Sequence, residues 1–218
     1  MSHVAFYSLS VGVAEMCKAD LKKDLSFLYN PSAKQVTVVN VPKMNFLMVD
    51  GEGNPNTSRQ YAEAAEALFS VSYALKFMVK KRSGVDYGVM PLEGLWWVDD
   101  LTKFSIEHKD DWKWTSIIMQ PKFVNIEDVK AAIEQAAKKK NLPALPKLRF
   151  ESSQEGLCAQ IMHIGPYSAE GQNIQKIHDY IKKSGNNLTG KHHEIYLNDP
   201  RKTAQERLKT ILRQPMKK

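Results

Sequence analysis

The stretch VTVVNVPKMNFLMVDGEGNPNTSRQYAEAAEALFSVSYALKFMVKKRSG, residues 36–84, decides the fold. From Val36 to Val49 it is β-rich, with Pro42 marking a kink or an edge position. The turn GEGNPNT follows, and its Asn56 or Thr57 offers an N-cap. From about Ser58 to Arg82 the period changes to that of a helix. Tyr61, Ala65, Leu68, Ser72, Leu75 and Val79 recur at three- and four-residue steps until Gly84 ends the run. Phe69, Tyr73 and Phe77 form an adjacent stripe, so the apolar face is as wide as expected of a helix lying across a sheet.

Downstream, strands are expected within Asp86 to Asp99, at Phe104 to His108 and at Lys113 to Gln120. A second helix starts at Asn125, with Glu127 and Asp128 at its positive end. KNLPALPKL, with Pro143 and Pro146, reads as a linker. Then the order repeats. Phe150 and Leu157 to Ile164 are strands, and Gly165-Pro166-Tyr167-Ser168 turns into a helix striped by Ile174, Ile177 and Ile181 and ended by Gly185. His192 to Leu197 and Leu208 to Gln214 close the chain as strands, although Thr203 and Glu206 could equally cap one helical turn. Upstream, Asp20 to Leu28 is a short amphipathic turn, and residues 1–17 read as an extension.

Two echoes point to duplication. Ser116 to Pro121 (SIIMQP) matches Thr210 to Pro215 (TILRQP), and GLWW after Glu93 stands where IYL stands after Glu194. The expectation is an α+β fold: duplicated strand-helix-strand-strand units, about residues 36–141 and 147–218, within one domain spanning 18–218. They form a curved antiparallel sheet with helices on one face and a central ligand groove between the halves.

Composition narrows the function. Of 218 residues 43% are hydrophobic and 25% charged, as in a globular protein with a sizeable core. No apolar run reaches the ~20 residues of a membrane helix, and no secretory signal is visible, so a cytoplasmic, soluble protein is expected. Cys17 and Cys158 make no disulfide framework, and no CxxC or HxxxH spacing occurs, so neither a metal nor another cofactor is expected. The formal charge is +7, but Lys80-Lys81-Arg82, Lys138-Lys139-Lys140 and Lys182-Lys183 fall at helix ends, where cations offset the helix dipole. Direct nucleic-acid binding is therefore not expected, nor is membrane binding.

All four tryptophans, Trp96, Trp97, Trp112 and Trp114, lie within nineteen residues. Strand alternation puts Glu93, Leu95 and Trp97 on one face and Gly94, Trp96 and Val98 on the other. Two neighbouring strands can thus present a wall of indoles beside a carboxylate, able to stack flat or cationic molecules at ~0.5–2 kcal/mol per contact. The competing reading, indoles filling a core, holds for most tryptophans. Glu194 lies inside the apolar strand HHEIYLND, where a partly buried carboxylate can hold a cation or accept a proton from water. An edge-strand glutamate paired with a lysine or arginine is the alternative. His192 and His193 read as exposed strand-start residues, and Cys158 as an inert core thiol. No nucleophile motif stands out.

The segments KMNFLMVDGEGNPNT, ALFSVSYALKFMVKK, DYGVMPLEGLWWVDD, MHIGPYSAEG and HHEIYLNDPRKTAQERLKTILRQPM together resemble the GyrI-like proteins, from about Lys18 to the C-terminus. The resemblance implies the duplicated fold and a groove for planar hydrophobic or aromatic, often cationic, small molecules. It places a ligand-meeting glutamate at Glu194. The tryptophan wall is similar to that of the standalone cyclopropanoid cyclopropyl hydrolases, which detoxify DNA-alkylating compounds. On that resemblance Trp97, Trp112, Trp114 and Tyr167 would form the aromatic cage, with Glu93 beside it. Glu194 would activate a water, and Tyr196 would supply a hydroxyl. The alternative is a non-catalytic drug-sequestering protein or one that contacts DNA gyrase. Haem binding, as in the distantly similar SOUL proteins, would need His163 or His178 as an axial ligand.

Overall fold

The computed structural model describes residues 17–98 and 109–218. The strand expected at Phe104 to His108 lies outside the described residues. Residues Cys17–Ala19 (β1) pair in parallel with Val85–Tyr87 (β4). Two single-turn helices, Leu21–Asp24 (α1) and Ser26–Tyr29 (α2), lead into Thr37–Val41 (β2) and Met44–Glu52 (β3). Pro42 thus separates two strands. Helix α3 (Arg59–Ser83), β5 (Leu92–Trp97), β6 (Lys113–Gln120) and α4 (Ile126–Lys139) complete the first half. The second half comprises β7 (Arg149–Ser153), β8 (Gly156–Ile164), α5 (Gly171–Lys183), β9 (Asn187–Leu188), β10 (His192–Tyr196) and β11 (Lys209–Lys217). The C-terminal alternative resolves as a strand preceded by one 3₁₀ turn at Gln205–Arg207.

Local chemistry explains the helix ends. Ser58, one residue after the expected caps Asn56 and Thr57, accepts the Tyr61 N–H and starts α3. Gly84 ends it at φ 70°, a backbone conformation that costs a β-carbon dearly, and returns its N–H to the Lys80 carbonyl. Asn125 and Asp128 form a reciprocal capping box on α4, and Arg82 reaches Asp128 to join the two helices.

All larger strands form one curved antiparallel sheet in the order β2-β8-β11-β10-β5-β6-β3-β7, with β9 beside β11. The order is palindromic: the first strand of each half crosses to pair with the second strand of the other. The central seam is β10 against β5, with Glu194 opposite Gly94 and Ile195 opposite Glu93.

Residues facing each other across a ladder share a face. Leu47, Val49, Ile118, Ile161 and Leu212 line the face that carries the three long helices. Helix α3 packs on β3 and β6, α4 packs on α3, and α5 sits on β8 and β11. Ile177 and Ile181 of α5 close a separate small core with Ala159, Ile161 and Leu212. Among the described residues no long helix covers the seam, so a groove runs between α3 and α5.

Three readings change. Tyr73 and Phe77 are 49% and 59% exposed, so the second stripe of α3 does not lie on the sheet. The proline-rich stretch is not a free linker, because Leu142, Leu145 and Leu148 are buried in the main core. The two echoes also disagree by one residue. Glu93 pairs with Ile117 and Ile195 with Ile211, so the counterpart of Glu93 is Ile195, not Glu194.

Candidate ligand-binding site

The groove encloses about 1100 Å³ between α3, the central seam and the start of α5. Its floor is indole. Trp96 on β5 and Trp112 just before β6 meet with ring centroids 5.5 Å apart, tilted by 57°. Tyr61 of α3 closes over them, 5.7 Å from Trp96 and edge-on to Trp114 at 5.1 Å. Two glycines make room for these rings. A β-carbon at Gly94 would come within 2.6 Å of Trp96 Nε1, and one at Gly51 within 2.3 Å of the Trp114 ring. The indoles therefore lie flat across neighbouring backbone instead of standing off the sheet.

The opposite wall is phenolic and acidic. Tyr196 and Tyr167 meet edge to face at 5.7 Å. The Tyr196 hydroxyl donates to Glu194 Oε2 at 2.7 Å, and Glu194 Oε1 lies 3.5 Å from His192 Nε2. Glu170, at the N-terminus of α5, also lines the groove. Burial and the charge of Glu194 hold the Tyr61 and Tyr196 hydroxyls protonated well above the usual tyrosine range. Burial, with Glu170 and Glu194 close by, pushes Tyr167 up to about 12. The site thus offers protonated hydroxyls around buried carboxylates, above a floor of buried indoles.

Of the residues singled out in the sequence, Glu194, Tyr196, Trp112 and Tyr167 line this groove. Trp114 is fully buried beneath Tyr61. Trp97 and Glu93 are not in the lining, because both belong to the other sheet face. Trp97 there lies under Lys191, whose Nζ sits 3.2 Å from the ring centroid. Its neighbour Trp96, with the opposite parity, lies on the groove floor. Tyr61, Trp96 and Glu170 join the lining without having been picked out for it. Gly94 was the available signal, a residue without a side chain sharing a face with an indole two positions away.

Glu93 anchors a buried cluster instead. Its carboxylate accepts from Tyr29 Oη at 2.8 Å and pairs with His193 Nε2 at 2.9 Å. His193 Nδ1 lies 3.0 Å from Glu155, which also accepts from Arg213 at 3.2 Å. Arg213 donates further to Gln160 and to the Leu28 carbonyl. His192 and His193 are therefore both buried, not exposed at a strand start. Burial opposes charge on His193, but Glu155 and Glu93 overcome it and raise the imidazole to about 9. Two anions and two cations balance here and tie α2 to the far side of the seam.

His163 is held by the Pro166 carbonyl and by Asn173, both at 3.1 Å, a structural role. Among the described residues no group of three or more His, Cys, Asp or Glu side chains could hold a metal, and no helix is long and apolar enough to cross a membrane.

Residues 34–217 match the GyrI-like small molecule binding domain. The chain belongs to this family. The GyrI-like chain is similar to an uncharacterized conserved protein from Listeria innocua, at 40% identity and TM-score 0.84, covering 91% of this chain and 99% of that one. It is also similar to a hydrolase encoded by lin2189 from the same organism, at 38% identity and TM-score 0.82, covering 92% and 100%. The C-terminal domain of EcmrR shares the GyrI-like fold at 12% identity and TM-score 0.57, over 84% of this chain and 98% of that domain. No curated protein matches the chain.

Proposed function

We propose that this GyrI-like protein binds flat conjugated hydrophobic compounds in the groove and hydrolyses cyclopropyl-containing DNA-alkylating members of that class by adding water. One observation carries the reading. Glu194, buried and fixed by Tyr196, stands at the wall of a groove floored by Trp96 and Trp112. Similarity to Listeria proteins described as hydrolases supports turnover over binding alone.

Trp96 and Trp112 are 2% and 4% exposed beneath Tyr61, so the ligand stacks on them as the Tyr61 ring swings aside, and bulk water leaves the floor. Glu194 accepts a proton from one retained water. The water oxygen bonds to a cyclopropyl carbon, the strained C–C bond breaks, and its electron pair moves into the conjugated carbonyl. The proton on Glu194 then returns to that oxygen, so the product is the ligand plus one water. Tyr196 already donates to Glu194, so it orients the base. Tyr61 and Tyr167, which stay protonated, are the hydroxyls that meet the developing oxyanion. Ring strain activates the ligand, so positioning and one base suffice, and no covalent enzyme intermediate forms.

The test is incubation of an excess of a cyclopropyl alkylator with the protein in ¹⁸O-water, followed by mass spectrometry. Many equivalents of product carrying one ¹⁸O are expected. Ligand recovered unchanged from a saturated groove would leave the second reading, a sequestering protein, which the groove's size favours.

A further inference from the structure

His192 precedes Glu194 by two residues on β10 and shares its face, with its Nε2 3.5 Å from Glu194 Oε1. The ring is 7% exposed, and neither nitrogen has a hydrogen-bond partner among the described residues. Buried polar groups are nearly always paired, because an unpaired one keeps its full desolvation penalty. A ring with two such nitrogens, aimed at the groove carboxylate, is a poor packing choice. Phenylalanine or leucine would fill the space without that penalty.

Its surroundings are sparse in charge. Trp96 stands opposite on β5, and Leu212 and Gln214, which share its face on β11, add no titratable group. On its own strand the only one sharing its face besides Tyr196 is Glu194. From α5 it faces His178, which is partly buried and lies among Asp179 and Lys182. Burial, and then the charge of His192, lower the proton affinity of His178. Glu194, His192 and His178 thus follow one another from the groove wall to the surface of α5.

We propose that His192 is a positioning residue that sets the orientation of Glu194. Tyr196 holds one carboxylate oxygen and His192 faces the other, so both oxygens are directed and the carboxylate plane is fixed. The inference rests on the groove being the ligand site and deepens the hydrolase reading, but it does not need turnover to be tested.

Two arms test it, using His192→Gln and His192→Phe in the full chain. In the first, tryptophan quenching by tetraphenylphosphonium and by a neutral planar aromatic compares both variants with wild type at one pH. His192→Phe, which cannot donate to Glu194 Oε1, should bind the cation roughly three- to tenfold more weakly, while His192→Gln, whose amide can, should stay within about twofold, and neutral-probe affinity should stay within about twofold in both. The second arm is kinetic. His192→Phe should lower kcat roughly tenfold, less than the 10²–10⁴ supplied by a general base itself, and leave KM within about twofold, and His192→Gln should recover most of the loss. Wild-type cation affinity and kcat in His192→Phe overturn the proposal, and so does an equal loss in both variants. Failure of the wild type to yield hydrated product would instead overturn the hydrolase reading, and the binding arm then decides the role of His192 alone.

Discussion

Glu93 and Glu194 lie on adjacent strands, within one residue of facing each other, yet they open onto opposite sides of the sheet. Ile195 is opposite Glu93, and Gly94 is opposite Glu194. The one-residue offset divides their roles. Glu93 is locked in the ion cluster beneath α2, and Glu194 stands in the groove. Glu93→Gln should therefore destabilise the fold by about 3–5 kcal/mol, since it leaves His193 buried with half its counter-charge. Chemical denaturation measures this. Ligand affinity of the folded fraction should stay close to wild type.

The same cluster makes stability depend on pH at both ends. His193 is raised from 6.5 to about 9, so its contribution is fully present below pH 6.5 and is lost as pH rises through 9. Burial opposes charge on the partly exposed Glu155, but His193 and Arg213 lower it from 4.5 to about 2, so its contribution is present above pH 4.5 and is lost as pH falls toward 2. Denaturation midpoints should plateau between about 4.5 and 6.5 in this respect. His193→Gln should be less stable there and should lose the decline attributable to this group between 6.5 and 9.

The tryptophans are separable by face. Trp96→Ala should weaken binding of a planar aromatic by roughly tenfold or more, the ~1.4 kcal/mol of a lost ring contact plus lost area. Trp97→Ala should leave it within about twofold, because that ring lies under Lys191 on the far side. Titration calorimetry with one planar probe compares the two directly.

The sheet and the helices were legible from period, and a buried carboxylate at Glu194 from a charge inside an apolar strand. The faces at the seam were not. Trp96 and Trp97 are adjacent, so one must face each way, and only the pairing of β5 with β10 and β6 fixes which. The role of Tyr61 was hidden for a related reason. It lies in the same helical stripe as core residues such as Leu68, and only the gap between α3 and α5 turns its end of the stripe into a groove wall. The crossing of β2 and β7 to opposite halves was equally invisible, since nothing local encodes a partner more than a hundred residues away.

Gly94→Ala tests the floor without touching any ring. The new methyl would sit 2.6 Å from Trp96 Nε1, so the indole must move. The expected cost is ~1–3 kcal/mol of stability, as for other overpacked sites, with a roughly tenfold loss of planar-ligand affinity. A crystal structure of the variant should show Trp96 displaced toward the groove.

Glu194→Gln keeps the size and one hydrogen-bond acceptor of the side chain while removing the base. Binding of a cyclopropyl-containing alkylator, measured by tryptophan quenching, should stay within about threefold of wild type, and single-turnover formation of the hydrated product should slow by 10²-fold or more. Unchanged turnover in this variant would contradict the account, because water activation would then lie with some other group.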